Sequence, residues 1–246
     1  MSRINILGIE IDDLKSEEAA ETAISLSEKR NAEYIVTPNS EMILNSSRDP
    51  ALKSAINSAA MAVPDSAGVM LSAKILGTPF GEKIPGYDLS LLILKKLSEK
   101  GGSVFLLGGK PGVGKAAAEN ILNKYPGINI CGEEHGYFDN ESEIVRKINC
   151  TEPDFIMVCL GSPRQELWMA EHSGRLNAGV MMGLGGTIDV LAGTAKLAPQ
   201  VWRDSGFEWL YRLLHDPKRI TRMAKLPLII FKSAAVRIKE ELNGQR

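Results

Sequence analysis

No run of the chain approaches 18 apolar residues, and the N-terminal Met-Ser-Arg-Ile-Asn-Ile-Leu-Gly has no long apolar stretch before acidic residues begin at Glu10. Neither a membrane-spanning helix nor a signal peptide is expected. Cysteine is scarce: Cys131, Cys150 and Cys159 are odd in number and lack a C-x-x-C spacing. A disulfide framework is therefore not expected, and the pattern predicts reduced, mostly buried thiols in a cytosolic protein. His135, His172 and His215 stand alone without metal-ligand spacing, and no G-x-S-x-G nucleophile elbow occurs. Asp-x-Asp, which metal-dependent sugar-nucleotide transferases often use, is missing; Glu10-Ile11-Asp12 comes nearest, inside the opening strand. The net charge of -1 argues against a general nucleic-acid binder.

At 44% hydrophobic and 24% charged, the 246 residues can bury one sizeable core, in one or two domains. For about the first 190 residues, short β-branched runs alternate with helix-period segments, the pattern of a parallel sheet covered by helices. The fold class read from this is α/β, a Rossmann-like parallel sheet core with a helical basic C-terminal appendage. Strands are predicted near Ile4–Leu7, Tyr34–Thr37, Ala60–Val63, Val104–Leu107, Ile128–Cys131, Phe155–Leu160 and Val180–Leu184. Ser16-Glu17-Glu18 reads as a helix N-cap with an acidic first turn, and Asp88 to Lys100 as a helix stopped by Gly101-Gly102.

After Pro199 the pattern changes. Trp202, Phe207, Trp209, Leu210, Tyr211 and Leu213 crowd together, and Pro217 and Pro227 cut basic helical segments. Residues 1–199 are expected to form the catalytic core and 200–246 a separate appendage. Arg212 to Lys239 holds eight Lys and Arg against one Asp, a net +7, which leaves -8 for the rest. Basic residues flanking Leu-Pro-Leu-Ile-Ile-Phe suit an element lying on an anionic membrane surface. Off a membrane, Trp202, Trp209, Leu210 and Leu213 predict packing against the core or a second subunit, a homo-oligomer.

Several strand ends carry polar or glycine-rich motifs. Leu-Leu-Gly-Gly-Lys-Pro-Gly-Val-Gly-Lys-Ala at 106–116 fits the P-loop spacing from Gly109 to Lys115, but Ala116 replaces the Ser/Thr that holds magnesium. Gly112-Val-Gly114-Lys-Ala-Ala117 also fits a dinucleotide fingerprint, with Glu133 or Glu134 at ribose distance. A tight strand-to-helix turn without ligand satisfies the same letters. Thr37-Pro38-Asn39-Ser40-Glu41 and Asp65 follow adjacent predicted strands, where open α/β proteins bind ligands, although an Asp there also serves as a helix N-cap. Gly161 to Trp168, with Gln165 and Glu166, and Gly185-Gly186-Thr187-Ile188-Asp189 follow two further strands.

Together these segments resemble the WecG/TagA/CpsF family of glycosyltransferases. The resemblance rests on Thr-Pro-Asn-Ser-Glu at 37–41, Pro-Asp-x-x-Gly at 64–68, Ile-Pro-Gly-Tyr-Asp at 84–88, Leu-Gly-Gly at 107–109 and Gly-Tyr-Phe at 136–138. Leu-Gly-x-Pro-x-Gln-Glu-x-Trp at 160–168, Gly-Gly-Thr-Ile-Asp at 185–189 and the arginine-bearing 206–222 complete it. The motifs fit best those members that build the teichoic-acid linkage unit. This implies an inverting transfer of N-acetylmannosamine from a UDP donor to undecaprenyl-diphosphate-GlcNAc, in a cytoplasmic protein peripherally bound at the inner face of the membrane. Other members transfer N-acetylmannosaminuronate or glucose. Ser66, Ala67, Lys83 and Leu197 depart from the family's usual residues, which bears on donor preference.

For such chemistry Asp65 is the expected base, with Thr37, Asn39 and Gln165 orienting sugar or acceptor hydroxyls. Gly108, Gly109, Gly136, Tyr137, Gly185, Gly186 and Asp189 are expected to frame the nucleotide, and Lys83, Arg212, Arg219 and Arg222 to meet diphosphate or acceptor charge. No cofactor, metal or nucleic acid is expected. The rival readings are a non-catalytic nucleotide-binding membrane adaptor and an NAD-dependent oxidoreductase using Gly112 to Ala117; calorimetry with UDP against NAD separates them. With no Asp-x-Asp, turnover is expected to survive EDTA. Loss of turnover on chelation, with recovery on adding magnesium or manganese, would contradict the assignment of charge neutralisation to protein cations.

Overall fold

Residues 104–107 read Val-Phe-Leu-Leu, and in the computed structural model their side chains divide by parity: Val104 and Leu106 join one buried cluster, Phe105 and Leu107 another. Phe155, Met157 and Cys159 separate from Ile156 and Val158 in the same way, as do Val180 and Met182 from Met181. A strand that is apolar at both parities must be covered on both faces. The structure describes residues 2–199, 201–202, 210–211 and 225–244.

The covered sheet has six parallel strands. In chain order they are β3 (Glu33–Val36), β4 (Met61–Ala62), β5 (Ser103–Gly108), β6 (Asn129–Glu134), β7 (Phe155–Cys159) and β8 (Val180–Gly183), arranged β4-β3-β8-β7-β5-β6. One face packs α1 (Ser16–Glu28), α5 (Gly86–Lys100), α6 (Val113–Lys124) and α9 (Thr187–Leu191). The other packs α2 (Ser40–Ser46), α3 (Pro50–Asn57), α4 (Ala67–Ile75), α7 (Glu141–Thr151) and α8 (Arg164–His172). The α/β reading holds. From β5 the chain passes to β6 on one side, and from β7 to β8 on the other, so the carboxyl ends of β5 and β7 flank a topological switch point.

The expected first strand is not part of this sheet. β1 (Arg3–Ile6) and β2 (Ile9–Asp12) form a separate antiparallel hairpin, turned by Leu7 and Gly8 at φ 53° and 91°. Positive φ at both central residues matches the right-handed twist of a two-residue hairpin. Asp12, the acidic end of Glu-Ile-Asp, is structural: it is 1% exposed, its Oδ1 accepts from Arg3 Nε at 2.9 Å and its Oδ2 from the Ala62 N–H at 2.8 Å. It therefore ties the hairpin to β4. Two further boundaries shift. The strand expected to end at Cys131 continues to Glu134, because Glu133 and Glu134 on this sheet-edge strand pair through their backbone with Leu106 and Leu107. The first helix is capped by Lys15, whose N–H is accepted by Glu18 at 2.9 Å, while the Ser16 hydroxyl donates to Glu82. Gly101, at φ 70°, ends α5 as expected.

At the C-terminus α10 (Lys225–Gly244) lies against α4 and α2, burying Ile229 and Ser233 completely. Lys225 Nζ reaches Glu41 at 2.8 Å and Asn45 at 3.1 Å on α2. No helix of the described residues is long and apolar enough to cross a membrane.

Asp12→Ala leaves the buried Ala62 N–H without its acceptor. It is expected to lower unfolding free energy by about 1–3 kcal/mol in urea titration, with Asp12→Asn losing less. An unchanged denaturation midpoint for Asp12→Ala would remove the tether from the account.

Candidate active site

Register places the site. Gly108 of β5 is opposite Cys159 of β7, Val158 is opposite Gly183 of β8, and Val36 of β3 is opposite Ala62 of β4, so the strand ends line one edge. Above that edge opens a cleft of about 1280 Å³. Thr37, Asn39, Asp65, Lys83, Gly109, Gly136, Tyr137, Gln165, Gly185, Gly186 and Asp189 all line it. Segments up to 152 residues apart in the chain thus meet in one place.

The β3/β4 end is held by backbone links. The Asp65 N–H donates to the Pro38 carbonyl at 3.3 Å, and the Ile84 N–H to the Pro64 carbonyl at 2.8 Å. Asp65 is not the N-cap of the helix that follows it. Ser66 fills that place, with its Oγ facing the Val69 N–H at 3.4 Å, whereas Asp65 Oδ1 accepts from the Gly86 N–H at 3.0 Å. The carboxylate is thereby aimed by the first residue of α5, a position that favours negative charge. Gly86 also packs tightly on Thr37: a Cβ there would lie 3.1 Å from Thr37 Cγ2 and 3.2 Å from Oγ1. Asn39 caps α2 by accepting from the Met42 N–H at 3.1 Å, so its side-chain oxygen is already engaged.

The β5/β7/β8 end is built by close backbone contact. Gly108 has φ 136°, and a Cβ on it would stand 2.3 Å from the Cys159 carbonyl. No other residue fits, although Gly108 itself lies beneath the cleft rather than on its lining. The Gly136 N–H donates to the Gly109 carbonyl at 2.9 Å. Gln165 is 5% exposed; its Oε1 accepts from the Gly185 N–H at 2.9 Å and its Nε2 donates to Glu166 Oε1 at 2.7 Å. Its amide therefore joins the start of α8 to the glycine turn after β8. Burial pushes the Glu166 carboxyl above its ordinary value, and its Oε2 has no hydrogen-bond partner among the described residues. Cys159 also lines the cleft, but burial pushes its thiol up to about 12, which removes it as a thiolate nucleophile at neutral pH.

The glycine motif at 109–117 contributes only its beginning. Gly109, Lys110 and Val113 line the cleft, while Gly112, Gly114 and Lys115 do not. Glu133 sits against the first turn of α6, so close that a Cβ on Gly114 would be 2.3 Å from its Oε2. Glu134 is paired with Lys147 at 2.6 Å. Glu133 is thus packed against the start of α6 and Glu134 is engaged by Lys147, so neither acid stands free beside the glycine turn.

Sequence reasoning passed over Glu41, Lys110, Arg164, Lys196 and Tyr211, which also line the cleft. Arg164 occupied a variable place inside a motif, and nothing in local spacing distinguishes it. Arg212, Arg219 and Arg222 lie outside the described residues. Glu141, Glu171 and His172 bring ligand atoms within 4.8 Å of one another, a grouping that sequence spacing did not reveal, and none of the three lines the cleft.

Comparison with known proteins gives a consistent result. The Glycosyl transferase WecG/TagA/CpsF family matches residues 4–243. A protein of Staphylococcus aureus strain MRSA252, named N-acetylglucosaminyldiphosphoundecaprenol N-acetyl-beta-D-mannosaminyltransferase, is 35% identical over 97% of this chain and 94% of its own length. Its counterparts in strains MW2 and NCTC 8325 are 34% identical over the same shares.

Proposed function

Because the chain belongs to the WecG/TagA/CpsF family and is therefore a glycosyltransferase, we propose that it transfers N-acetylmannosamine from UDP-N-acetylmannosamine to undecaprenyl-diphosphate-GlcNAc, in the linkage unit of wall teichoic acid. The staphylococcal relatives' names favour N-acetylmannosamine over N-acetylmannosaminuronate or glucose. One observation carries the reading: a single cleft holds a carboxylate aimed by a helix start at one end and glycine-lined strand ends at the other.

In this mechanism Asp65 takes the proton of the acceptor hydroxyl as that oxygen attacks the anomeric carbon of the donor sugar. The bond from the anomeric carbon to the β-phosphate oxygen breaks, and UDP departs with the electron pair, so configuration inverts. Negative charge builds on the leaving oxygen and must be met in place. Thr37, held under Gly86, and Asn39 would orient hydroxyls beside the base. Gln165 would act by fixing the Gly185-Gly186 turn, and Tyr137 and Asp189 would flank the nucleotide. Lys83 adds a cation on the β4 side of the cleft.

The appendage is assigned to the membrane side. Tyr211, adjacent in sequence to Arg212, lines the cleft, which supports a role for the tail arginines at the diphosphate or acceptor. On α10, Leu228, Phe231, Ile238 and Leu242 are 43%, 72%, 58% and 62% exposed, while Ile229 is buried on the core. An outward apolar stripe among Lys232, Arg237 and Lys239 suits reversible attachment to an anionic surface, where the acceptor resides. In this reading residues 1–199 carry the catalytic core and 200–246 deliver it to the lipid.

Asp65→Asn is expected to keep UDP affinity in calorimetry and to cut turnover by roughly 10²–10⁴-fold, the usual loss for a general base. Near-normal turnover would exclude Asp65 as the base. Phe231→Glu combined with Ile238→Glu, which leaves Ile229 in its core contact, is expected to abolish flotation with anionic liposomes and to slow transfer to lipid-linked acceptor. A variant that still floats and turns over at full rate would detach α10 from membrane binding.

A further inference from the structure

Charge is not evenly spread along the cleft. Of the carboxylates lining it, Glu41 and Asp65 follow β3 and β4, and only Asp189, after β8, lies nearer the centre. At the other end, beside the switch point, Lys110 follows β5 and Arg164 follows β7. At the β3/β4 end a diphosphate meets mixed charge, because Lys83 lines the cleft beside Asp65 and Glu41 is paired with Lys225 at 2.8 Å; at the β5/β7 ends it meets two cations over glycine backbone.

Arg164 is also held in position. Its Nη1 donates to the Gly136 carbonyl at 2.5 Å, and its guanidinium carbon lies 4.6 Å from the centroid of the Phe138 ring. Gly136 in turn donates to the carbonyl of Gly109, the residue preceding Lys110. The three loops after β5, β6 and β7 are thus joined through one glycine, with a cation on each flank. A guanidinium bound through one nitrogen and stacked on a ring retains donors on its remaining edge, and its rotamer freedom is already reduced.

We infer that Arg164 and Lys110 hold the diphosphate of the nucleoside-diphosphate donor, and that this pair orients the donor with its sugar toward Asp65. The inference rests on the glycosyl-transfer reading above and adds to it the part of the core that bears the leaving-group charge. Arg164 supplies a planar fork and Lys110 a mobile point charge, the two complementary ways of contacting phosphate oxygens.

The test is calorimetry of UDP and of uridine on the full-length protein, with Arg164→Ala, Arg164→Lys and Lys110→Ala. Lys124→Ala, on α6 outside the cleft, is the control for loss of one positive charge. Wild type should bind UDP more tightly than uridine. Arg164→Ala and Lys110→Ala should each weaken UDP by about 10- to 100-fold while leaving uridine within about twofold. Arg164→Lys should fall between, and Lys124→Ala should match wild type. UDP affinity kept in both alanine variants, or UDP and uridine weakened equally, would overturn the inference. A wild type with no preference for UDP over uridine would remove the UDP-donor reading first, and the inference with it. Near-UV circular dichroism reports on folding; Lys110 is exposed on its turn and carries the test by itself if Arg164→Ala disturbs its loop.

Discussion

Parallel register is the constraint from which the site follows. Six strands that run the same way must all end at one edge, and pairing of Gly108 with Cys159, Val158 with Gly183 and Val36 with Ala62 aligns those ends closely. Parallel strands require crossover connections, so the loops leaving that edge come from distant parts of the chain. Backbone groups at the strand ends have no further ladder partner, which makes the edge the natural place for polar contact with a ligand. Gly108 shows how tightly the constraint binds: β5 and β7 approach so closely at their ends that a methyl group would overlap the Cys159 carbonyl.

Upon this edge, the two halves of the cleft are stiffened by different means. At β3 and β4 a side chain accepts from a helix start, Asp65 from Gly86, so the carboxylate is aimed by the same residue that crowds Thr37. At β7 and β8 a buried amide bridges two loops: Gln165 accepts from Gly185 and donates to Glu166. An amide can present either end. A carboxyl oxygen accepting from Nε2 fixes the orientation that offers Oε1 to Gly185, which gives the buried Glu166 a reason to be beside it. Each arrangement fixes a polar group at the cleft in advance, so in the proposed mechanism little ordering would remain for the chemical step.

The C-terminal helix belongs to both the core and its outer surface. Ile229 and Ser233 close the face of α2 and α4, and Lys225 is tied to Glu41, itself at the cleft. The opposite side leaves Phe231, Ile238 and Leu242 outward. Burial on one side attaches the helix to the core, which leaves the exposed stripe free for the lipid contact proposed above.

Amino-acid order alone determined the α/β class, six of the strands within a few residues, the stop of α5 at Gly101 and the grouping of Thr37, Asp65, Gln165, Gly185 and Asp189 as candidates. These are local facts: apolar parity, glycine at a helix end, and polar letters directly after apolar runs. Other features were decided only by tertiary structure. Asp12 is legible as an acid near Glu10, yet its role comes from Arg3 and from a β4 N–H 50 residues on. Gly112 to Ala117 spells a phosphate-binding turn, but Glu133, from the next strand, lies over it. Asp65 reads as a helix cap until Gly86, 21 residues later, donates to it. Arg164 carries no signal in its own segment, because what makes it a cleft cation is Gly136 and Phe138 on a different loop. Sequence records which groups each segment can offer; partners that arrive from distant segments decide which of those groups remain available, because hydrogen bonding and charge depend on distance in space and not along the chain.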